Sequence, residues 1–144
     1  MPTLAAVNGH AFGAGFMCAL CHDIRFVRSD RGFMCANEVE IGMVIPKPEL
    51  ALVRHKLPMN TFFETVQLAK RWSGNDAVAA GVAQKSEPLE TLLEASIKRA
   101  SELARLGANR EVYGKTKQAI YGENAAINQP HGPAYMLTNP AAFH

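Results

Sequence analysis

A short apolar run, Thr3–Val7, gives way at once to Asn8-Gly9 and then to the small, glycine-rich stretch His10-Ala11-Phe12-Gly13-Ala14-Gly15. A chain written this way turns sharply out of a buried strand and enters a helix with little side-chain bulk at the junction. The apolar residues Phe16–Cys21 supply that helix. Two physical consequences attach to Gly13, Ala14 and Gly15. Their backbone is open to close approach by a ligand, and a helix that begins there leaves its first N–H groups unpaired. Such donors, reinforced by the helix dipole, suit a developing negative charge. The same small residues also suit plain strand–helix packing, and the segment alone does not choose between the two.

Beyond this entry, Ile24–Val27 reads as a second strand and Arg28–Gly32 as a charged turn. From Pro46 the pattern becomes helical. Pro48–Leu57 begins with prolines suited to a first turn, and Thr61-Phe62-Phe63-Glu64 has capping-box spacing at the head of the next helix. Asn75–Ala80 reads as a short helix with Asn75 as its cap and Gly81 as its stop. The strongest pattern runs from Pro88 to Leu106, where Leu89, Leu92, Leu93, Ile97, Ala100, Leu103 and Ala104 fall on one stripe. Arg110–Tyr121 is a weaker helix because Gly114 interrupts it, and the prolines after Gln129 make an irregular tail. The sum is one α-rich α/β domain with too few strands to close a sheet of its own.

Composition excludes several partners. With 15 basic and 13 acidic residues in 144, the net charge is +2, too balanced to argue for nucleic acid. The apolar stretch Ala11–Cys21 is too short to span a membrane. No charged and then apolar leader opens the chain, and Pro140–His144 carries no peroxisomal address, so the sequence reads as intracellular, in the cytoplasm or peroxisome. Cys18, Cys21 and Cys35 are accordingly expected as thiols, with the pair on the apolar helix acting as small hydrophobes.

Cys18-Ala19-Leu20-Cys21-His22 has the spacing of a haem-attachment motif, but nothing in the chain suggests the export that covalent haem requires. The order Gly9, Gly13, Gly15 is not the dinucleotide fingerprint. The five histidines show no ligand spacing, so no metal is expected. Arg54, Lys56, Lys70 and Arg71 are available for phosphates, although a solvated face accounts for them equally well.

The second chemical feature is Asn37-Glu38-Val39-Glu40-Ile41-Gly42. A carboxylate in an apolar setting needs a reason, and one such reason is a base tuned by burial. A solvated pair of carboxylates on a strand edge would have the same spacing.

In this order the segments resemble the crotonase (enoyl-CoA hydratase/isomerase) superfamily. Pro2–Gly15 resembles its oxyanion-hole segment. Cys21–Phe26, Gly32-Phe33 and Asn37–Pro46 follow in the family's sequence and spacing, and Ala79–Ala83 resembles its helix-then-strand step. Arg28–Phe33 and Val112–Lys115 are most similar to the plant-type peroxisomal Δ3,Δ2-enoyl-CoA isomerases. The resemblance extends to about residue 123. It implies part of a spiral ββα crotonase core over residues 1–85, a helical assembly region over 86–128, and a tail over 129–144.

The resemblance also assigns roles. Ala14 stands where the family's second oxyanion-hole N–H lies, with Gly13, Gly15, Met17 and Gly42 around the substrate. Glu38 stands where hydratases and isomerases keep a catalytic glutamate, which leaves Glu40 structural or exposed. Met17 stands where hydratases place another glutamate. Hydration divides its work between two carboxylates, whereas moving a double bond from the 3- to the 2-position needs one base that takes a proton from C2 and returns it at C4. The expected activity is therefore Δ3,Δ2-enoyl-CoA isomerisation in fatty-acid breakdown, with no cofactor beyond the coenzyme A of the acyl-CoA substrate.

Met1-Pro2 matches an internal position of the family, and the earlier half, which gives the first oxyanion N–H, has no counterpart in this chain. The expectation is a chain weak or inactive by itself. The alternative expectation is a non-catalytic partner. Either form would assemble as a trimer or hexamer, or with a full-length relative.

Overall fold

The computed structural model describes residues 1–121. The expected tail, 129–144, and the end of the expected helical region lie outside the described residues. The first strand, β1 (Leu4–Val7), is followed by β2 (Ala11–Phe12), α1 (Ala14–Cys21), β3 (Ile24–Arg28) and β4 (Met34–Cys35). Then come a 3-10 turn at Glu38–Ile41, the helices α2 (Lys47–Lys56), α3 (Met59–Val66) and α4 (Gly74–Ala79), and β5 (Lys85–Glu87). The helix α5 (Leu89–Leu103), a 3-10 turn at Ala104–Gly107 and α6 (Arg110–Tyr121) complete the described chain.

In keeping with a partial α/β fold, the strands form small open sheets, one of them a three-stranded parallel sheet in the order β1-β3-β5. Leu4 lies opposite Ile24 and Val7 opposite Val27, while Phe26 lies opposite Lys85. Parallel neighbours require a crossover, and α1 provides it between β1 and β3. The strand β5 was invisible in the sequence because Lys85-Ser86-Glu87 has no apolar alternation and joins the sheet through its backbone. A second, two-stranded parallel pair joins β2 to β4, with Ala11 opposite Met34 and Phe12 opposite Cys35.

The core gathers on the buried side of α1. Phe16 and Leu20 are fully buried there against Val27, Met34, Val53 and Val82. Burying a side chain of this size is worth about 1.5–3 kcal/mol, so α1 is the element around which the rest packs. Cys18 and Cys21 lie on its other side and are exposed, not packed as small hydrophobes, whereas Cys35 is buried with its Sγ 3.2 Å from the Ala69 carbonyl. The last carbonyl of the α1 turn, that of His22, accepts two cationic donors, Arg25 Nη1 at 3.0 Å and Lys56 Nζ at 3.0 Å. Arg25 is only 2% exposed and also donates Nε to the Val82 carbonyl at 2.7 Å. Burial lowers its proton affinity below that of an ordinary guanidinium.

Two caps read from the sequence are redirected by tertiary partners. Pro58, not Thr61, precedes α3, and buried Thr61 sits inside that helix with its hydroxyl donating to the Ala80 carbonyl at 2.7 Å. One turn on, Thr65 accepts from the Trp72 indole at 2.9 Å, which satisfies a donor that burial would otherwise strand. Ser73, not Asn75, precedes α4, while Asn75 accepts from the Ser86 hydroxyl at 2.6 Å. Gly81 does stop α4, with φ +75.

The stripe expected along α5 divides. Leu92 and Ser96 are buried, but Leu89, Leu93 and Ile97 are exposed, and the α-helix ends at Leu103. The last described helix, α6, is tied back to the core by Lys117, whose Nζ lies 2.8 Å from Asp23. Burial works to raise the Asp23 carboxyl, but hydrogen bonds from Lys117 and Thr3 outweigh it and hold the group below the ordinary value of 3.8. The stability this carboxylate contributes is present above that value and is lost as pH falls through the lower folded one. Asp23→Asn is therefore expected to flatten the acid side of the stability–pH curve below about pH 4, as read by urea unfolding at stepped pH. An unchanged acid side would remove Asp23 from that account.

Candidate active site

The β2–β4 pair sets the geometry of the site. Both strands run the same way, so the segments leaving them emerge at the same end. Gly13 follows β2 directly and donates its N–H to the Cys35 carbonyl at 2.9 Å, which anchors the entrance of α1 to β4. Glu38 follows β4 by three residues. A Cβ on Gly13 would lie 3.4 Å from Glu38 Oε1 and 3.6 Å from Asn37 Oδ1. The carboxylate therefore rests against bare backbone at the helix entrance. Gly13 has φ +50, a conformation that glycine adopts without strain.

The 3-10 turn that carries Glu38 is closed by Gly42 at φ +73, and the Met43 N–H donates to the Glu38 carbonyl at 2.8 Å. Instead of the strand edge considered for these residues, the structure places them on this turn. Its two carboxylates also separate. Glu40 pairs with Arg71 at 3.2 Å, and both side chains are well exposed. Glu38 Oε2 is buried and has no hydrogen-bond partner among the described residues.

The other expected site residues are not all gathered here. Ala14 and Gly15 are exposed, and Ala14 opens α1, where a helix leaves its first N–H groups unpaired. Met17 is turned into the core, 8% exposed, and its N–H already donates to the Gly13 carbonyl at 3.0 Å. Gly42 closes the turn, and a Cβ there would meet nothing within 4 Å. The basic residues are engaged elsewhere. Lys56 is half-buried on the His22 carbonyl and over the Tyr121 ring, Lys70 pairs with Glu64, and Arg71 pairs with Glu40.

One carboxylate escaped sequence reasoning. Glu49 stands in the first turn of α2, where an acidic residue is ordinary helix chemistry. Its Oε2 is nevertheless buried without a partner. Burial pushes its carboxyl above the usual 4.5, and the charge of Glu38 pushes further in the same direction. No spacing in the sequence announces this, because the burial of Glu49 is set by how α2 packs.

With this geometry in view, the family model described as enoyl-CoA hydratase/isomerase matches residues 1–137. The chain belongs to the enoyl-CoA hydratase/isomerase family. Enoyl-CoA delta isomerase 3 of Arabidopsis thaliana is 37% identical over 126 residues, 85% of this chain and 53% of that protein. Enoyl-CoA delta isomerase 2, peroxisomal, of the same plant is 36% identical over 130 residues, 88% of this chain and 54% of that protein. Among solved structures, the enoyl-CoA hydratase EchA3 of Mycobacterium ulcerans aligns with a TM-score of 0.75 at 29% identity, over 86% of this chain and 53% of that one. The chain thus spans about half the length of the curated family members it matches. Its α/β architecture is part of the crotonase fold, and its similarity to the plant isomerases agrees with the resemblance read from the sequence. No described helix of this family member is long and apolar enough to cross a membrane.

Proposed function

We propose that this chain carries the acid–base centre of a Δ3,Δ2-enoyl-CoA isomerase acting on unsaturated fatty acyl-CoA thioesters in fatty-acid breakdown. The observation that carries the reading is the Glu38 carboxylate lying against the bare entrance of α1 while Met17 is folded into the core. Glu38 takes the proton from C2 of a 3-enoyl thioester. The electron pair of the broken C–H bond moves into the thioester, giving an enolate whose oxygen the Ala14 N–H holds. Collapse of the enolate shifts the double bond to the 2-position, and Glu38 returns the same proton at C4. Gly13 and Gly15 leave room for the acyl thioester to reach that N–H. Coenzyme A belongs to the substrate, and the chemistry asks for no separate cofactor or metal. The peroxisome is the proposed compartment, on the strength of the peroxisomal relative.

One oxyanion donor of the usual pair is worth about 10²–10³ in rate. The chain alone is therefore expected to turn over more slowly than an intact family member by at least the lower of those factors. The direct test follows conversion of a 3-enoyl-CoA to the conjugated 2-enoyl-CoA by the purified chain. Turnover equal to that of an intact isomerase would contradict the assignment of a shortened oxyanion site.

A specific observation favours a second reading, an assembly partner without turnover. Leu89, Leu93 and Ile97 form an exposed apolar row on α5, with Leu93 64% exposed and Ile97 58%. Such a row suits a homotrimer, a hexamer or association with a full-length relative. Absence of turnover together with co-purification of a full-length relative would select it.

A further inference from the structure

A cavity of about 400 Å³ opens between the β3–β5 side of the sheet and the flank of α5. Its floor is apolar. Ile24 and Phe26, two residues apart on β3, belong to the same face of the sheet, and Ala95 lines the cavity from the helix. Leu92 and Ser96 are the buried residues that seat α5 on the sheet. Beside them, Ala95, Lys98, Arg99 and Glu102 follow at the spacing of one helical face and line the cavity. A methyl group at Ala95 is too short to close the gap, and the longer side chains after it carry charges that keep them at the rim.

The polar groups at that rim decide what can enter. Lys85 stands opposite Phe26 in the sheet, with Nζ 5.8 Å from the centre of the ring, and pairs with Glu87 at 2.6 Å. Arg99 pairs with Glu102 at 3.0 Å. Gln84 accepts the Arg25 N–H on its Oε1 at 2.8 Å, so its side chain has amide N–H donors left to offer. Lys98 makes neither an ion pair nor a hydrogen bond among the described residues, and an ammonium can only donate. Of the cations lining the cavity, Lys85 and Arg99 are each matched by a carboxylate and Lys98 is not. The wall therefore carries one positive charge in excess, and Lys98 and Gln84 offer it donors.

We infer that this cavity is a binding site for a small monocarboxylate with an apolar body, its carboxylate received by Lys98 and Gln84 and its body laid on Ile24, Phe26 and Ala95. A neutral apolar molecule would cover both donors and give them nothing to bond, which desolvation penalises. A phosphate monoester, with close to two negative charges, would exceed the single unmatched cation. A carboxylate supplies one charge and two acceptor oxygens, one for each donor. The cavity is of the size that small-molecule sites occupy. None of its lining residues belongs to the Glu38 site, so the inference stands apart from the isomerase reading.

The test follows the Ile24 and Ala95 methyl signals of the 13C-labelled 144-residue chain by NMR as octanoate is added, with octanol as an uncharged probe of the same length. Octanoate is expected to move both signals saturably, and octanol to bind at least about tenfold more weakly, as suits the loss of a charge-assisted hydrogen bond. Lys98→Gln is expected to weaken octanoate binding by about the same factor, and Lys98→Arg to restore it. Lys98 is exposed, so both variants are expected to melt with the parent chain. Ala95→Leu fills the floor and is expected to abolish the shift at Ile24. If that variant fails to fold, the Lys98 series decides alone. Equal affinity for octanol, unchanged affinity in Lys98→Gln, or saturable shifts confined to Ala14 at the α1 entrance would each overturn the inference. So would the absence of any saturable shift up to about 10 mM octanoate.

Discussion

Glu38→Gln is expected to reduce conversion of 3-enoyl-CoA to its conjugated isomer by about 10³-fold, within the range usual for loss of a general base. The amide keeps the shape of the side chain, so the bare backbone at Gly13 still finds an atom where Oε1 now lies, 3.4 Å from the position of a Cβ. What disappears is the capacity to accept a proton. Stability is expected to change little, with the melting temperature within about 3 °C of the parent, because Oε2 makes no hydrogen bond that the substitution would break. The measurement pairs initial rates with thermal melts, and Glu40→Gln serves as the control. Glu40 is engaged with Arg71 on the surface, so its loss should leave the rate within about twofold, since exposed pairs contribute little. A large rate loss at Glu40 with none at Glu38 would transfer the base to Glu40.

The largest expected stability effect lies at Gly32. This residue has φ +103, and a Cβ added there would lie 2.5 Å from the carbonyl oxygen and 2.7 Å from the carbonyl carbon of Gly9. Neither atom belongs to a flexible side chain that can swing aside. Gly9 lies in the connection between β1 and β2, and Gly32 in the connection between β3 and β4, so their contact is where the two connections meet. Gly32→Ala combines a strained backbone with a main-chain collision and is expected to cost about 3 kcal/mol or more, measured as a lowered urea midpoint. The damage should reach the site as well. Ala11 donates to the Phe33 carbonyl at 2.9 Å immediately beside that contact, and the β2–β4 pair is what aligns Gly13 with Glu38. An unchanged urea midpoint would show that the two turns can part at no cost.

The fold was legible wherever a residue's role follows from its own neighbours in sequence. Thr3–Val7, Ile24–Val27 and the helix after Gly15 stand close to where apolar runs and glycines put them, and Gly81 stops its helix because only a left-handed turn fits there. The short strands β4 and β5 were not legible because backbone pairing holds them without any side-chain pattern. Thr61 and Asn75 show the same limit in another form. Each matches a local capping code, and each hydroxyl or amide is drawn instead to a partner distant in sequence. The stripe on α5 fits a buried face in sequence, but only Leu92 and Ser96 meet the sheet side.

The site divides along the same line. Gly13 and Glu38 were legible through family resemblance and lie together, whereas Met17 turned out to belong to the core. Glu49 and Arg25 were not legible, since a first-turn acid and a strand arginine look like surface residues until the chain folds over them.

The convergence of Arg25 and Lys56 on the His22 carbonyl has an electrical consequence for the opposite end of α1. A short helix is a bar with opposite poles, and at the entrance the distant negative pole partly cancels the positive one. Two cations seated on the negative pole weaken that cancellation. The entrance at Ala14 then presents a less opposed positive pole, although neither cation comes near it. Burial lowers Lys56 to about 8, so one of these cations fades just above neutral pH. The electrostatic character of the α1 entrance is therefore set partly at the opposite end of its own helix.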